Sequence, residues 1–153
     1  MTSESPLNSM GVPGLLRAAR GAYAKAVRNA FADAGFDDIP RSGAYVLART
    51  FENTSPLGAL TRELGISKQA VSQLIDTMVM RGYLDRIADT EDRRRMLIKL
   101  TPRGEEAARV SWQAVTAVDR DLERRLSAGG VAALRTGLIA LAEMSIQTGP
   151  AAE

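Results

Sequence analysis

The architecture turns on residues 57–104, LGALTRELGISKQAVSQLIDTMVMRGYLDRIADTEDRRRMLIKLTPRG. Apolar residues first recur at helical spacing, then at spacing two, so the stretch reads as two short helices followed by two strands. The first helix covers about 56–64, with Ser55 as its expected cap and Pro56 at its first position, and it ends at Gly65. Ser67 caps the second, about 68–81, which turns Val71, Leu74, Ile75 and Met78 inward and stops at Gly82. Between the helices, Leu64-Gly65-Ile66-Ser67 makes a tight turn. Leu60, Leu64, Ile66, Val71 and Leu74 are expected to share one small core. YLDRIA (83–88) and RMLIKLT (95–101) then read as a hairpin around the polar DTEDRR (89–94), its tip rich in arginine. Helix, turn, helix and hairpin together predict a winged helix-turn-helix.

That geometry suits a duplex. An α-helix fits the major groove and meets base edges with its N-terminal residues. The exposed residues there are Ser67, Lys68, Gln69, Ser72 and Gln73. Glutamine can bond an adenine edge in two places, lysine suits guanine or phosphate, and serine is a short donor. Arginines at the hairpin tip can enter a neighbouring minor groove. Plainer readings stand beside these: Arg93, Arg94 and Arg95 also fit a solvated turn, and Ser67 is useful as a cap alone.

The flanks are helical. A polar tail over 1–12 precedes a helix that opens near Pro13 and stops at Gly35, and a second helix fits 41–52 with Ala44, Leu47, Ala48 and Phe51 on its inner face. After the hairpin, Thr101 caps a long helix over 102–127. Ser127-Ala128-Gly129-Gly130 breaks it, and a last amphipathic helix runs over 131–146 with Leu134, Leu138, Leu141 and Ala142. The fold class is therefore mainly α with a small β-hairpin wing. Four segments follow: a flexible tail 1–12, supporting and dimerisation helices 13–54, the winged helix-turn-helix 55–104, and C-terminal dimerisation helices 105–153. Long alanine-rich end helices have little of their own to pack around. Pairing with a second copy would bury them and set two recognition helices about one DNA turn apart.

Composition narrows the chemistry. In 153 residues there is neither cysteine nor histidine. Disulfides, thiolate nucleophiles, the usual zinc sites and a triad-type base are thereby excluded. Glu105 and Glu106 are adjacent on a helix and point apart, so they form no acid–base pair. With no nucleotide-binding loop either, the reading is of a protein that is not an enzyme and needs no cofactor or metal. No membrane-length apolar run and no signal peptide are visible, so a cytoplasmic location is expected. Net charge is +2, but 55–104 carries nine basic and six acidic side chains while 105–153 carries five and seven. The basic centre fits a polyanion partner.

Residues 57–104 resemble the MarR family of bacterial winged-helix transcription regulators, above all in GISKQAVSQLID, MRGYLDR and DTEDRRRMLIKLTPRG. The last holds the family's wing pattern, with Asp92-x-Arg94, an apolar strand, then Leu100, Thr101 and Gly104. Thr61 departs from it, standing where a smaller residue is usual, and implies slight repacking. The resemblance implies a homodimeric repressor of nearby genes, bound to a pseudo-palindromic operator in double-stranded DNA and released by a small aromatic or anionic effector. It carries the recognition-face role onto Ser67, Lys68, Gln69, Ser72 and Gln73, and the wing-tip role onto Arg93 and Arg94. Asp92 would steady Arg94, Arg86 would touch phosphate at the hairpin's start, and Arg62 is a further phosphate candidate. Tyr23, Tyr45, Phe51 and Trp112 are either core or the lining of an effector pocket in which Arg41 or Arg49 would bind a carboxylate. An alternative keeps the fold without the DNA: a winged helix that serves as a protein-interaction module.

Overall fold

The computed structural model describes residues 5–52, 55–90, 92 and 96–147. In order these form α1 (Val12–Asp33), α2 (Gly43–Glu52), β1 (Ser55–Pro56), α3 (Leu57–Leu64), α4 (Lys68–Met80), β2 (Leu84–Ala88), β3 (Met96–Leu100), α5 (Pro102–Arg125) and α6 (Ala128–Gln147). The expected class, mainly α with a β-hairpin wing, is what is found. The chain divides into two compact units, Met1–Val115 and Thr116–Glu153.

The first unit holds the core. α1 opens with proline in its first turn and closes at Gly35, whose φ of 76° only glycine adopts without strain. There the Phe36 N–H donates to Phe31 O at 2.7 Å and the Gly35 N–H to Ala32 O at 3.1 Å. This is a Schellman ending, with the Phe31 and Phe36 rings in edge contact at 6.5 Å. α4 ends the same way at Gly82, φ 75°: Tyr83 N–H bonds Met78 O and Gly82 N–H bonds Val79 O, both at 2.9 Å. Leu47, Leu60, Val71, Ile75, Met78, Leu84 and Ile98 have almost no exposed surface. Each large aliphatic chain so buried contributes about 2 kcal/mol. α5 joins this core through Gly104, Ala107, Ala108 and Ser111.

Several sequence expectations need correction. The inner face of α2 is Val46, Leu47 and Thr50, while Phe51 is 46% exposed. The helix is turned by about one residue from the apolar count because threonine satisfies itself inside: Thr50 Oγ1 donates to Val46 O at 2.8 Å. Ser55 and Pro56 lie in a strand, with Ser55 opposite Ile98 and Pro56 opposite Leu97, so α3 starts one residue later than expected. The sheet order is β1-β3-β2, which puts the proline on an edge, where its missing N–H costs no interior ladder bond. Ile66 is 39% exposed and stands outside the core assigned to it. Finally, the helix break expected over 127–130 falls at Leu126 and Ser127: α5 ends at Arg125, and the two glycines lie in the first turn of α6, where Ser127 Oγ accepts from the Gly130 N–H at 3.2 Å.

In the second unit α6 leaves Leu134, Leu138, Ile139, Leu141 and Met144 between 41% and 65% exposed. Its apolar residues encircle it rather than forming one stripe, which departs from the amphipathic helix expected. No helix among the described residues is long and apolar enough to cross a membrane.

Candidate nucleic-acid interface

α3 and α4 are joined by Gly65, φ 63°, and Ser67. Ser67 is the N-cap: its Oγ accepts from the Ala70 N–H at 3.1 Å. Such a cap contributes about 1 kcal/mol. With Val71, Ile75 and Met78 buried on one face, Lys68, Gln69 and Gln73 stand exposed on the other and Ser72 is half-buried beside them. The residues expected to read bases thus share the solvent side of the first turn and a half of α4. Arg62 is exposed on α3.

The wing is a regular hairpin, Leu84 opposite Leu100 through to Ala88 opposite Met96. Ile98 and Leu100 face the core and anchor its base. Arg93 and Arg94, assigned to the wing tip, lie outside the described residues, as does Arg95. Asp92 is described and exposed. Arg86 forms an ion pair, Nη2 2.6 Å from Asp76 Oδ1, which links β2 to the middle of α4.

The residues considered for an effector pocket are distributed differently. Tyr45 and Arg49, one turn apart on α2, converge on Glu63 of α3: Tyr45 Oη donates to Oε2 at 3.0 Å, Arg49 Nε to Oε2 at 2.8 Å and Nη2 to Oε1 at 3.1 Å. Arg49, then Tyr45, holds the Glu63 carboxyl below the usual range. The Arg49 guanidinium is thus engaged by a carboxylate of the chain itself. Arg41 is exposed, Trp112 is 61% exposed, and Tyr23 is half-buried. An open concavity lined by Glu123, Val131, Ala132 and Arg135 lies in the second unit.

One polar cluster was missed in the sequence. Tyr83 has no exposed surface, and its hydroxyl donates to Asp38 Oδ1 in the loop between α1 and α2. Arg103 Nη2 donates to the same hydroxyl at 2.9 Å and to Asp38 Oδ1 at 3.3 Å, and Arg81 Nη1 donates to Asp38 O. The Arg103 guanidinium lies 4.7 Å from the Tyr83 ring centroid and 5.8 Å from that of Phe36. The Tyr83 hydrogen bond, with help from Arg103 and Arg81, lowers the Asp38 pKa, while burial and then Asp38 raise that of Tyr83. At neutral pH the pair is carboxylate and phenol. Long separation in sequence hid it, since no local pattern joins Asp38 to Tyr83 or Arg103.

Comparisons with known proteins agree with this geometry. A model of the MarR family matches residues 45–95, which span α2 through β2 and into the hairpin connection. A comparison with curated proteins returns no match. Among solved structures, the reduced form of MarR from E.coli is 22% identical, with a TM-score of 0.67 over 86% of this chain and 96% of that one. A probable transcriptional regulator from Pseudomonas aeruginosa is 25% identical, TM-score 0.65, over 88% and 98%. FabT from Streptococcus pneumoniae, solved in complex with DNA, is 18% identical, TM-score 0.75, over 88% and 94%.

Proposed function

We propose that this chain, a member of the MarR family of winged-helix regulators, is a homodimeric, sequence-specific DNA-binding repressor of nearby genes. The observation that carries the reading is the capped N-terminal half of α4, with Lys68, Gln69 and Gln73 exposed beside a hairpin, inside the segment that matches the family. Lysine and arginine draw the protein to phosphates, α4 reads the major groove, and Arg93 and Arg94 anchor the wing in the minor groove. The FabT–DNA complex, which shares the fold, supports the groove assignment.

Dimerisation is supported by apolar surface left open in the single chain. α1 exposes Val12, Leu15 and Leu16, and α6 exposes Leu134, Leu138, Ile139, Leu141 and Met144. A second copy would remove these faces from water, at about 25 cal/mol for each Å² buried. Release by a small aromatic or anionic effector completes the proposal; it rests on the family likeness.

Fluorescence anisotropy of the purified protein on DNA upstream of its own gene, over a salt series and against scrambled competitor, tests the reading. Tight, competitor-resistant binding that weakens steeply with salt is expected, with a light-scattering mass of two 16.4 kDa chains. Equal binding to scrambled and genomic duplexes, with a flat salt response, would overturn it in favour of a protein-interaction module. The wing has its own check: Arg94→Ala should lower operator affinity about tenfold or more with the dimer intact. Unchanged affinity at fixed salt would remove the wing from the mechanism.

A further inference from the structure

We infer that Asp38, Tyr83 and Arg103 form a positioning clamp that sets how α1 holds the recognition helix and the wing for DNA binding. The inference rests on the DNA-binding reading above and adds residues that touch no base or phosphate in it.

The backbone of Tyr83 stands where two hand-overs occur. Its N–H bonds Met78 O, closing α4, and its carbonyl accepts from the Thr101 N–H at 3.1 Å, where β3 passes into α5. Displacement of Tyr83 is therefore felt at the end of the recognition helix, at both strands of the wing and at the start of α5. An apolar side chain would fill this buried place equally well. The hydroxyl adds attachment to a loop 45 residues away.

That loop is rigidly joined to α1. Phe36, two residues before Asp38, is bonded to Phe31 O through its N–H and packed on the Phe31 ring. Phe36 also meets the Tyr83 ring edge-on at 6.2 Å. Donors from three points of the winged helix converge on Asp38: Arg81 at the end of α4, Tyr83 before β2 and Arg103 in α5. Two recognition helices must present themselves about one DNA turn apart, so slack between α1 and α4 populates misaligned dimers and taxes specific affinity. Binding to arbitrary phosphates makes no such demand.

The test uses the intact dimer, with Tyr83→Phe, which keeps the ring and removes the hydroxyl. Operator affinity should fall by roughly twofold to thirtyfold, the range for substitutions along a coupling network. Affinity for a scrambled duplex and the salt slope should stay unchanged. Asp38→Asn, which keeps an acceptor for the phenol, should retain more operator affinity than Asp38→Ala. Both readouts are taken well below the melting transition, followed by circular dichroism. If Tyr83→Phe lowers only the melting temperature and leaves operator affinity intact, the clamp is merely structural and the inference is overturned. If the wild-type protein itself does not distinguish operator from scrambled DNA, the DNA-binding reading falls, and this one with it.

Discussion

Gly104→Ala is expected to cost the winged helix about 3 kcal/mol or more, roughly a fifth to three fifths of the stability of an ordinary domain. A β-carbon built on Gly104 falls 2.0 Å from the Tyr83 carbonyl oxygen, where no such contact can exist. Retreat is blocked by the bonds that seat the start of α5. Thr101 Oγ1 accepts from the Gly104 N–H at 3.0 Å and donates to Gly82 O at 2.6 Å, while the Thr101 N–H holds the same Tyr83 carbonyl. Moving α5 away breaks these bonds; leaving it in place drives carbon into oxygen. Glycine is needed here for space and not for backbone freedom, since Gly104 is helical with no positive φ. Urea unfolding followed by circular dichroism would measure the loss. A midpoint within experimental scatter of wild type would show that α5 can shift freely against the wing.

Replacing Gln69 and Gln73 together with alanine should reduce operator affinity about thirtyfold or more, since each good base contact is worth about 1–3 kcal/mol. Both side chains are exposed on α4, so the fold should be indifferent to their loss. Affinity for scrambled DNA and the salt slope should scarcely change, because neither residue carries charge. Lys68→Ala, by contrast, should lower the salt slope by about one if Lys68 meets phosphate. Titrations on operator and scrambled duplexes would separate the cases. An equal fall on both duplexes would mean that α4 attaches without reading.

The fold was legible where one residue type has one local use. Gly35, Gly65 and Gly82 mark helix ends because their positive φ excludes other residues, and Ser67 and Thr101 mark helix starts because their oxygens accept backbone N–H groups. Reading failed where tertiary contacts outweigh local preference. Thr50 is polar in a count of side chains but buried in the fold, and this turned the inner face of α2. Pro56 looked like a first helical residue because the partner that makes it a strand lies some forty positions on. Which side of α4 faces solvent was legible from the spacing of its buried residues. The partner of Tyr45 and Arg49 was not: both reach for Glu63, which nothing in their own helix announces. Gly104 was visible as part of a motif, but its reason, the Tyr83 carbonyl, was not.

The short strand β1 has a consequence for solubility. A sheet left open at its edges offers unpaired backbone to any other extended chain, which is a route to aggregation. Here β3 is the middle strand, flanked on one side by only Ser55 and Pro56. Proline ends that ladder, having no N–H to offer a newcomer. On the other side β2 exposes Asp85 and Arg86, so an incoming strand would have to accommodate charge. The hairpin is thus protected at both margins against recruiting strands from other molecules.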